Sequence, residues 1–284
     1  MNLLSEGIAM HFSQLLTDEE KWFFDHHGFL ILRGIISAEE VAEMKSLGEE
    51  WHSRLTNLPA PLYSSSREHP DFSPNIAHWI NRIEYGHPVF ERLALNPEVL
   101  RVVIALTHGY PTLVDTALTR NTTASDDIRF HEVRGGYRML DGEPFANFLN
   151  AGIALVDVPA DTGFVCIPGS HKDHFLVPDS IGIYDTAPSV FNPSVRAGDC
   201  VLFTEALRHG ARRWTASTPR FTIFNRYKAG DCEGRPLPEF QHLVSEDLYE
   251  LGTSLPMGQE KNVVRRFLDS VKQDTSAHAQ ETVS

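Results

Sequence analysis

The feature that most constrains this chain is a change of texture after Gly109. From there, short apolar runs alternate with Gly, Pro, Asp and Asn, at 112–119, 128–133, 153–158, 164–167, 201–203 and 221–227. Runs of this length, bounded by turn formers, read as strands, and several in series point to a sandwich or a jelly roll.

Ahead of Gly109 the pattern is helical. Thr17-Asp18-Glu19-Glu20 has the form of a capping box and opens a helix through about His26. Gly28 stops it, and Phe29-Leu30-Ile31-Leu32 reads as a short buried strand. A second box, Ser37-Ala38-Glu39-Glu40, precedes Val41, Met44, Leu47 and Trp51 at helical spacing. Asn96-Pro97 sets a cap residue before a proline at a first helical position. Residues 57–74 are rich in Pro and Ser and read as a long loop. One more helix is expected at about 259–271, followed by a flexible polar tail over 273–284. No repeat or composition break marks a second domain. The expectation is a single domain over 1–272, with helices over about 17–108 and a β core over about 110–230.

Charge narrows the function. Lys and Arg number 25 against 38 Asp and Glu, a net charge of −13. Nucleic-acid and anionic-membrane binders need basic surfaces, so neither partner is expected. No apolar stretch approaches the roughly 18 residues of a membrane span. The start, Met1-Asn2-Leu3-Leu4-Ser5-Glu6, lacks a basic leader, so the expected location is cytoplasmic. Cys166, Cys200 and Cys232 form no CxxC pair, which argues against a disulfide framework or zinc ribbon and leaves them as packing residues. Histidine, the commonest metal ligand, occurs 14 times, so the question becomes which histidines do chemistry.

Four segments carry candidate chemistry: Arg129-Phe130-His131-Glu132-Val133; the run from Asp161-Thr162-Gly163 to Pro168-Gly169-Ser170-His171-Lys172; Gly198-Asp199 leading to His209-Gly210; and Arg220-Phe221-Thr222. Other residues have plainer readings. His171 suits a structural role at a Pro-Gly turn, and His11, His26 and His27 suit a surface. His69, His78 and His87 fall in a loop-rich segment placed to cover a site mouth, with a surface or substrate-contact role. Arg134, Arg138, Arg212 and Arg213 read as a solvated face, or as holders of an anionic substrate group. Trp79, Tyr85 and Phe90 read as core or loop anchors.

In this order and spacing, from about Phe23 to Tyr227, the segments resemble the phytanoyl-CoA dioxygenase family of Fe(II), 2-oxoglutarate-dependent oxygenases. The resemblance implies a mainly β fold with flanking helices around a double-stranded β-helix, a cupin-like jelly roll. It implies His131 and His209 as iron ligands and Arg220, aided by Thr222, as the clamp on the distal carboxylate of 2-oxoglutarate. No further catalytic side chain is expected beyond the metal ligands. The implied reaction consumes O2 and 2-oxoglutarate, releases succinate and CO2, and hydroxylates a small organic substrate. Two imidazoles and a carboxylate on one face leave positions for a keto acid and O2, and a guanidinium matches a carboxylate with two parallel hydrogen bonds.

The family's first motif is His-x-Asp, and here Val133 stands two residues beyond His131. Residues i and i+2 share a strand face, so an apolar side chain takes the place of the third ligand. Three explanations stand side by side. Glu205, four residues before His209, supplies the carboxylate; halide fills an open position, as in related halogenases; or a bulge turns Glu132 inward or water completes the shell. A non-catalytic small-molecule binder is the rival class. The sequence does not name the substrate or the oligomeric state.

Overall fold

Both capping boxes form. The Thr17 hydroxyl accepts from the Glu20 amide while the Glu20 carboxylate accepts from the Thr17 amide, starting α1 (Asp18–His27). Ser37 and Glu40 repeat the arrangement at the start of α2 (Ala38–Ser53). Gly28 ends α1 with φ 80°, a left-handed conformation that glycine adopts without a Cβ penalty. The computed structural model describes residues 12, 14–65, 78–172, 174–230, 236–256 and 258–281. His11, His69, Cys232 and the 66–74 part of the expected loop lie outside them.

β1 (Phe29–Leu32) follows α1, and α3 (Pro88–Ala94) and α4 (Pro97–Leu106) precede the β core. The Asn96 side chain caps α4 through the amides of Glu98 and Val99. The core strands are β4 (Pro111–Asn121), β5 (Ile128–His131), β8 (Phe148–Ala154), β9 (Gly163–Cys166), β10 (Cys200–Thr204), β11 (His209–Arg212) and β12 (Arg220–Ala229). With β2 (Tyr63–Ser64) and β3 (His78–Asn81) they build a large sheet in the order β1-β10-β8-β12-β4-β3-β2 and a small sheet in the order β5-β11-β9. All pairings are antiparallel. The two sheets are the walls of the expected double-stranded β-helix.

Alternation along β12 shows how the walls are divided. Phe221, Ile223 and Tyr227 are fully buried and join Phe24, Met44, Trp51, Val103 and Leu106 of the helices in one core. Truncating one of the larger of these side chains to Ala costs about 2–5 kcal/mol. Arg220, Thr222, Phe224 and Arg226 face the other way, into the space between the sheets. A second apolar cluster, including Phe29, Val158, Val201, Phe203 and Leu207, ties the small sheet to the large one. The helices thus cover one face of the large sheet, and the opposite face is left to form a cavity.

Several expected boundaries shift. The strand expected at 153–158 is β8, which runs Phe148–Ala154. Asn150 and Gly152 dilute its apolar pattern, and Val158 instead makes an isolated bridge to Val195. β11 contains no β-branched residue and was not expected as a strand; it exists because β5 and β9 pair with it on both sides. The hairpin of β6 (Tyr137–Leu140) and β7 (Glu143–Ala146), and α5 (Glu246–Gly252), were also not foreseen. The last helix, α6, spans Asn262–Glu281 rather than 259–271. Its polar end continues the helix where a tail is expected, because Gln, Ala and Glu are good helix formers and no Gly or Pro interrupts them. His78 lies in β3 and His87 caps α3, so neither belongs to a loop over the site. Among the described residues no helix is long and apolar enough to cross a membrane.

Candidate functional site

His131 ends β5 and His209 begins β11, and the two are direct partners in the antiparallel register. Their ring centroids are 4.2 Å apart. Gly210 makes this approach possible. A Cβ there would sit 2.4 Å from the Ile128 carbonyl oxygen, so any side chain would push β11 away from β5.

Each imidazole is oriented by its own backbone. His131 Nδ1 donates to the Arg129 carbonyl at 3.0 Å, and His209 Nδ1 donates to the Leu207 carbonyl at 2.7 Å. With Nδ1 carrying the proton, each Nε2 keeps its lone pair for a metal. Burial, helped by the neighbouring His131, pushes the His209 pKa down to about 4, so the ring is neutral at pH 7 as ligation requires.

The carboxylates near the pair have different partners. Glu132 pairs with Arg208 at 3.1 Å and with Arg134 at 2.9 Å. Val133 is 54% exposed, and its amide donates to the Glu205 carbonyl at 2.8 Å. Glu205 therefore lies beside the position where the family carries its aspartate. Its Oε2 is 3.9 Å from His209 Nε2, and its Oε1 accepts from Asn150 Nδ2 at 2.6 Å. Two ligands about 2.1 Å from one ion at right angles are separated by roughly 3 Å. The carboxylate is thus adjacent to the His209 imidazole, and among the described residues no group of three His, Cys, Asp or Glu side chains is already arranged to hold a metal ion.

Arg220, at the start of β12, supplies the site's unbalanced charge. It is 8% exposed, its Nη2 donates to Asn121 Oδ1 at 2.9 Å, and its buried Nε has no acceptor among the described residues. Among the described residues it makes no ion pair, and burial pushes its pKa down to about 10. A buried guanidinium with an unfilled donor calls for an anion. Gly163 leaves room for it, because a Cβ there would lie 3.0 Å from Nη1 and 2.6 Å from Val158. Thr222 shares the inward face, and its carbonyl accepts from the Thr119 hydroxyl at 3.1 Å.

One cavity of about 300 Å³ joins Arg220 and Thr222 to His131, His209 and Glu205. Trp79, Phe164, Phe203 and Phe224 form apolar walls, and Trp79 stacks on Phe224 with centroids 5.4 Å apart. The expectation of Trp79 as a core or loop anchor is corrected, since it lines the cavity. The inward residues Phe224 and Arg226 were missed, although counting in twos from Arg220 finds both. Asn150 carried no signal, because β8 was misplaced by several residues.

The remaining candidates lie elsewhere. His171 is buried beneath Gly28 and contacts the Asp25 carbonyl through Nε2 at 3.1 Å. Arg213 pairs with Asp126, and Arg212 donates to the Ile183 carbonyl and to Asp161.

Residues 24–222 match the phytanoyl-CoA dioxygenase (PhyH) family model. The chain is 25% identical to ectoine dioxygenase of Sphingopyxis alaskensis over 230 residues, covering 72% of this chain and 74% of the relative. HygX of Streptomyces hygroscopicus, solved with nickel, 2-oxoglutarate and hygromycin B, is similar in fold at TM-score 0.64 and 23% identity, over 89% of this chain and all (100%) of HygX. The carbocyclase SnoK of nogalamycin biosynthesis is similar at TM-score 0.58 and 20% identity, over 87% of this chain and 96% of SnoK.

Proposed function

This chain belongs to the phytanoyl-CoA dioxygenase family of non-haem iron, 2-oxoglutarate-dependent oxygenases, and on that premise we propose that it hydroxylates a small organic molecule. One observation carries the reading: a pair of imidazoles with free Nε2 atoms shares a cavity with a buried arginine that has no carboxylate partner among the described residues.

The donor set suits iron. His131 and His209 would hold it through Nε2, and Glu205 would supply the carboxylate after a side-chain adjustment from its 3.9 Å separation. Metal and co-substrate, when bound, supply the oxidative decarboxylation of 2-oxoglutarate to succinate and CO2, coupled to transfer of one oxygen atom of O2 to substrate.

The protein's own residues do the positioning. Arg220, steadied by Asn121, grips the distal carboxylate, and the Thr222 hydroxyl adds a second hydrogen bond. The Nδ1 bonds fix both imidazoles before anything binds, which lowers the ordering cost at the moment of ligation. Phe164, Phe203 and Phe224 keep water out and leave an apolar wall for a carbon skeleton. A carboxylate beside the imidazoles favours hydroxylation over the halogenation that Val133 raised, because a halide needs that side of the site open.

The test is anaerobic addition of Fe(II) and then 2-oxoglutarate. The reading expects a weak visible charge-transfer band that Arg220→Ala abolishes at the same co-substrate concentration. It expects succinate release above the uncoupled background when the right substrate pool is added. A wild-type protein that binds neither Fe(II) nor 2-oxoglutarate overturns it.

A further inference from the structure

Glu205 is held from behind. Asn150 Nδ2 donates to its Oε1 at 2.6 Å, Asn150 Oδ1 accepts from Arg226 Nε at 3.2 Å, and Arg226 Nη1 donates to Asp115 Oδ2 at 2.7 Å. These contacts are built into the sheet. Asn150 of β8 and Asp115 of β4 are each direct register partners of Arg226 on β12, so the three residues form one row across adjacent inner strands.

The row has a direction. Arg226 only donates and Glu205 only accepts, so the Asn150 amide satisfies both in a single orientation. Flipping it would set donor against donor and acceptor against acceptor. Asn150 is 2% exposed, so water offers no easy substitute for either bond. Occupying Oε1 leaves Oε2 as the oxygen turned toward His209 Nε2.

We propose that Asn150 and Arg226 are positioning residues for a relocated metal carboxylate. Position 133, two residues beyond His131, lies past the end of β5 and holds an exposed valine. Glu205 instead sits in the turn between β10 and β11, where its side chain has no strand to aim it. The row Asp115–Arg226–Asn150 supplies that aim from the rigid centre of the large sheet, as hydrogen-bonding partners behind a metal's ligands do elsewhere. This rests on the reading of Glu205 as the third ligand.

The experiment is a double-mutant cycle on Co(II) affinity, measured by calorimetry on the full chain in parallel with thermal unfolding and circular dichroism. Asn150→Leu keeps volume and removes both hydrogen bonds. The expected result is Co(II) binding 10- to 100-fold weaker, with an altered Co(II) visible spectrum. In a Glu205→Ala background the same change is expected to cost less than 2-fold, because the residue acts through Glu205. Arg226→Lys, which keeps charge but loses the planar fork, is expected to fall between wild type and Asn150→Leu, and it serves as the second variant should Asn150→Leu not fold. Equal losses in both backgrounds overturn the positioning role, as does unchanged Co(II) affinity in either variant with Glu205 present. Glu205→Ala with wild-type Co(II) affinity overturns the ligand reading itself, so the two failures are distinguishable.

Discussion

The Val133 amide donates to the Glu205 carbonyl at 2.8 Å. The strand end that lacks the family's carboxylate is thus bonded to the turn that carries another one. Strand β5 supplies an imidazole, the segment just past its end a backbone donor, and the turn before β11 the acid. The same few residues join the two sequence motifs.

Glu132 and Glu205 separate the competing assignments of the third ligand. Glu205→Gln is expected to weaken Fe(II) retention by 10-fold or more, since a neutral amide is a poor ligand for a hard dication. Glu132→Gln is expected to leave retention within 2-fold and to cost about 1 kcal/mol of stability by loosening Arg208. Equilibrium dialysis against Fe(II), with thermal unfolding, checks both. The reverse pattern would reassign the ligand to Glu132.

Gly210 controls the distance between the imidazoles. Gly210→Ala places a Cβ against the Ile128 carbonyl and is expected to destabilise the chain by about 1–3 kcal/mol. Metal affinity is expected to fall at least 10-fold while far-ultraviolet circular dichroism stays native. Calorimetric metal titration of the folded variant is the measurement, and wild-type affinity would show that the strands can separate without cost to the site.

Arg220 and Thr222 differ in the size of their effects on the co-substrate. Loss of a charge-assisted pair costs about 1.5–3 kcal/mol, so Arg220→Ala is expected to raise the 2-oxoglutarate Kd by about 10- to 150-fold. Arg220→Lys recovers part of this, because a point charge cannot reproduce the fork. Thr222→Val removes one hydrogen bond and is expected to raise Kd about 2- to 10-fold. Turnover with saturating 2-oxoglutarate would then approach wild type in Thr222→Val.

His171 gives the fold an acid sensitivity of its own. Burial, reinforced by Lys172, pushes its pKa down to about 4 from the usual 6.5. The folded state resists protonation, so the unfolded state binds more protons in between. Stability attributable to this residue is full above about pH 6.5 and is lost as pH falls toward 4. His171→Gln is expected to flatten the dependence of Tm on pH across that window. A wild-type slope in the variant would place the acid sensitivity elsewhere.

Features with local causes were legible in the sequence. Thr17 and Glu20, and Ser37 and Glu40, satisfy each other's backbone across three residues, so their helices begin where expected. β4, β10 and β12 carry apolar runs long enough to be seen, and their observed bounds contain the expected ones. β8 and β11 were misread or missed because Asn150, Gly152 and the His-Gly-Ala-Arg segment have weak strand preference, and only pairing with neighbours on both sides makes them strands.

The amino-acid order alone determined the helix starts and the β-rich core, and its resemblance to a family pattern grouped the two histidines with the arginine. The folded chain decided which carboxylate stands beside them. The bond between Val133 and Glu205, and the row of Asp115, Arg226 and Asn150, join residues distant in sequence. No spacing rule encodes such contacts, because strand pairing and register, rather than local backbone preference, bring their atoms within bonding distance.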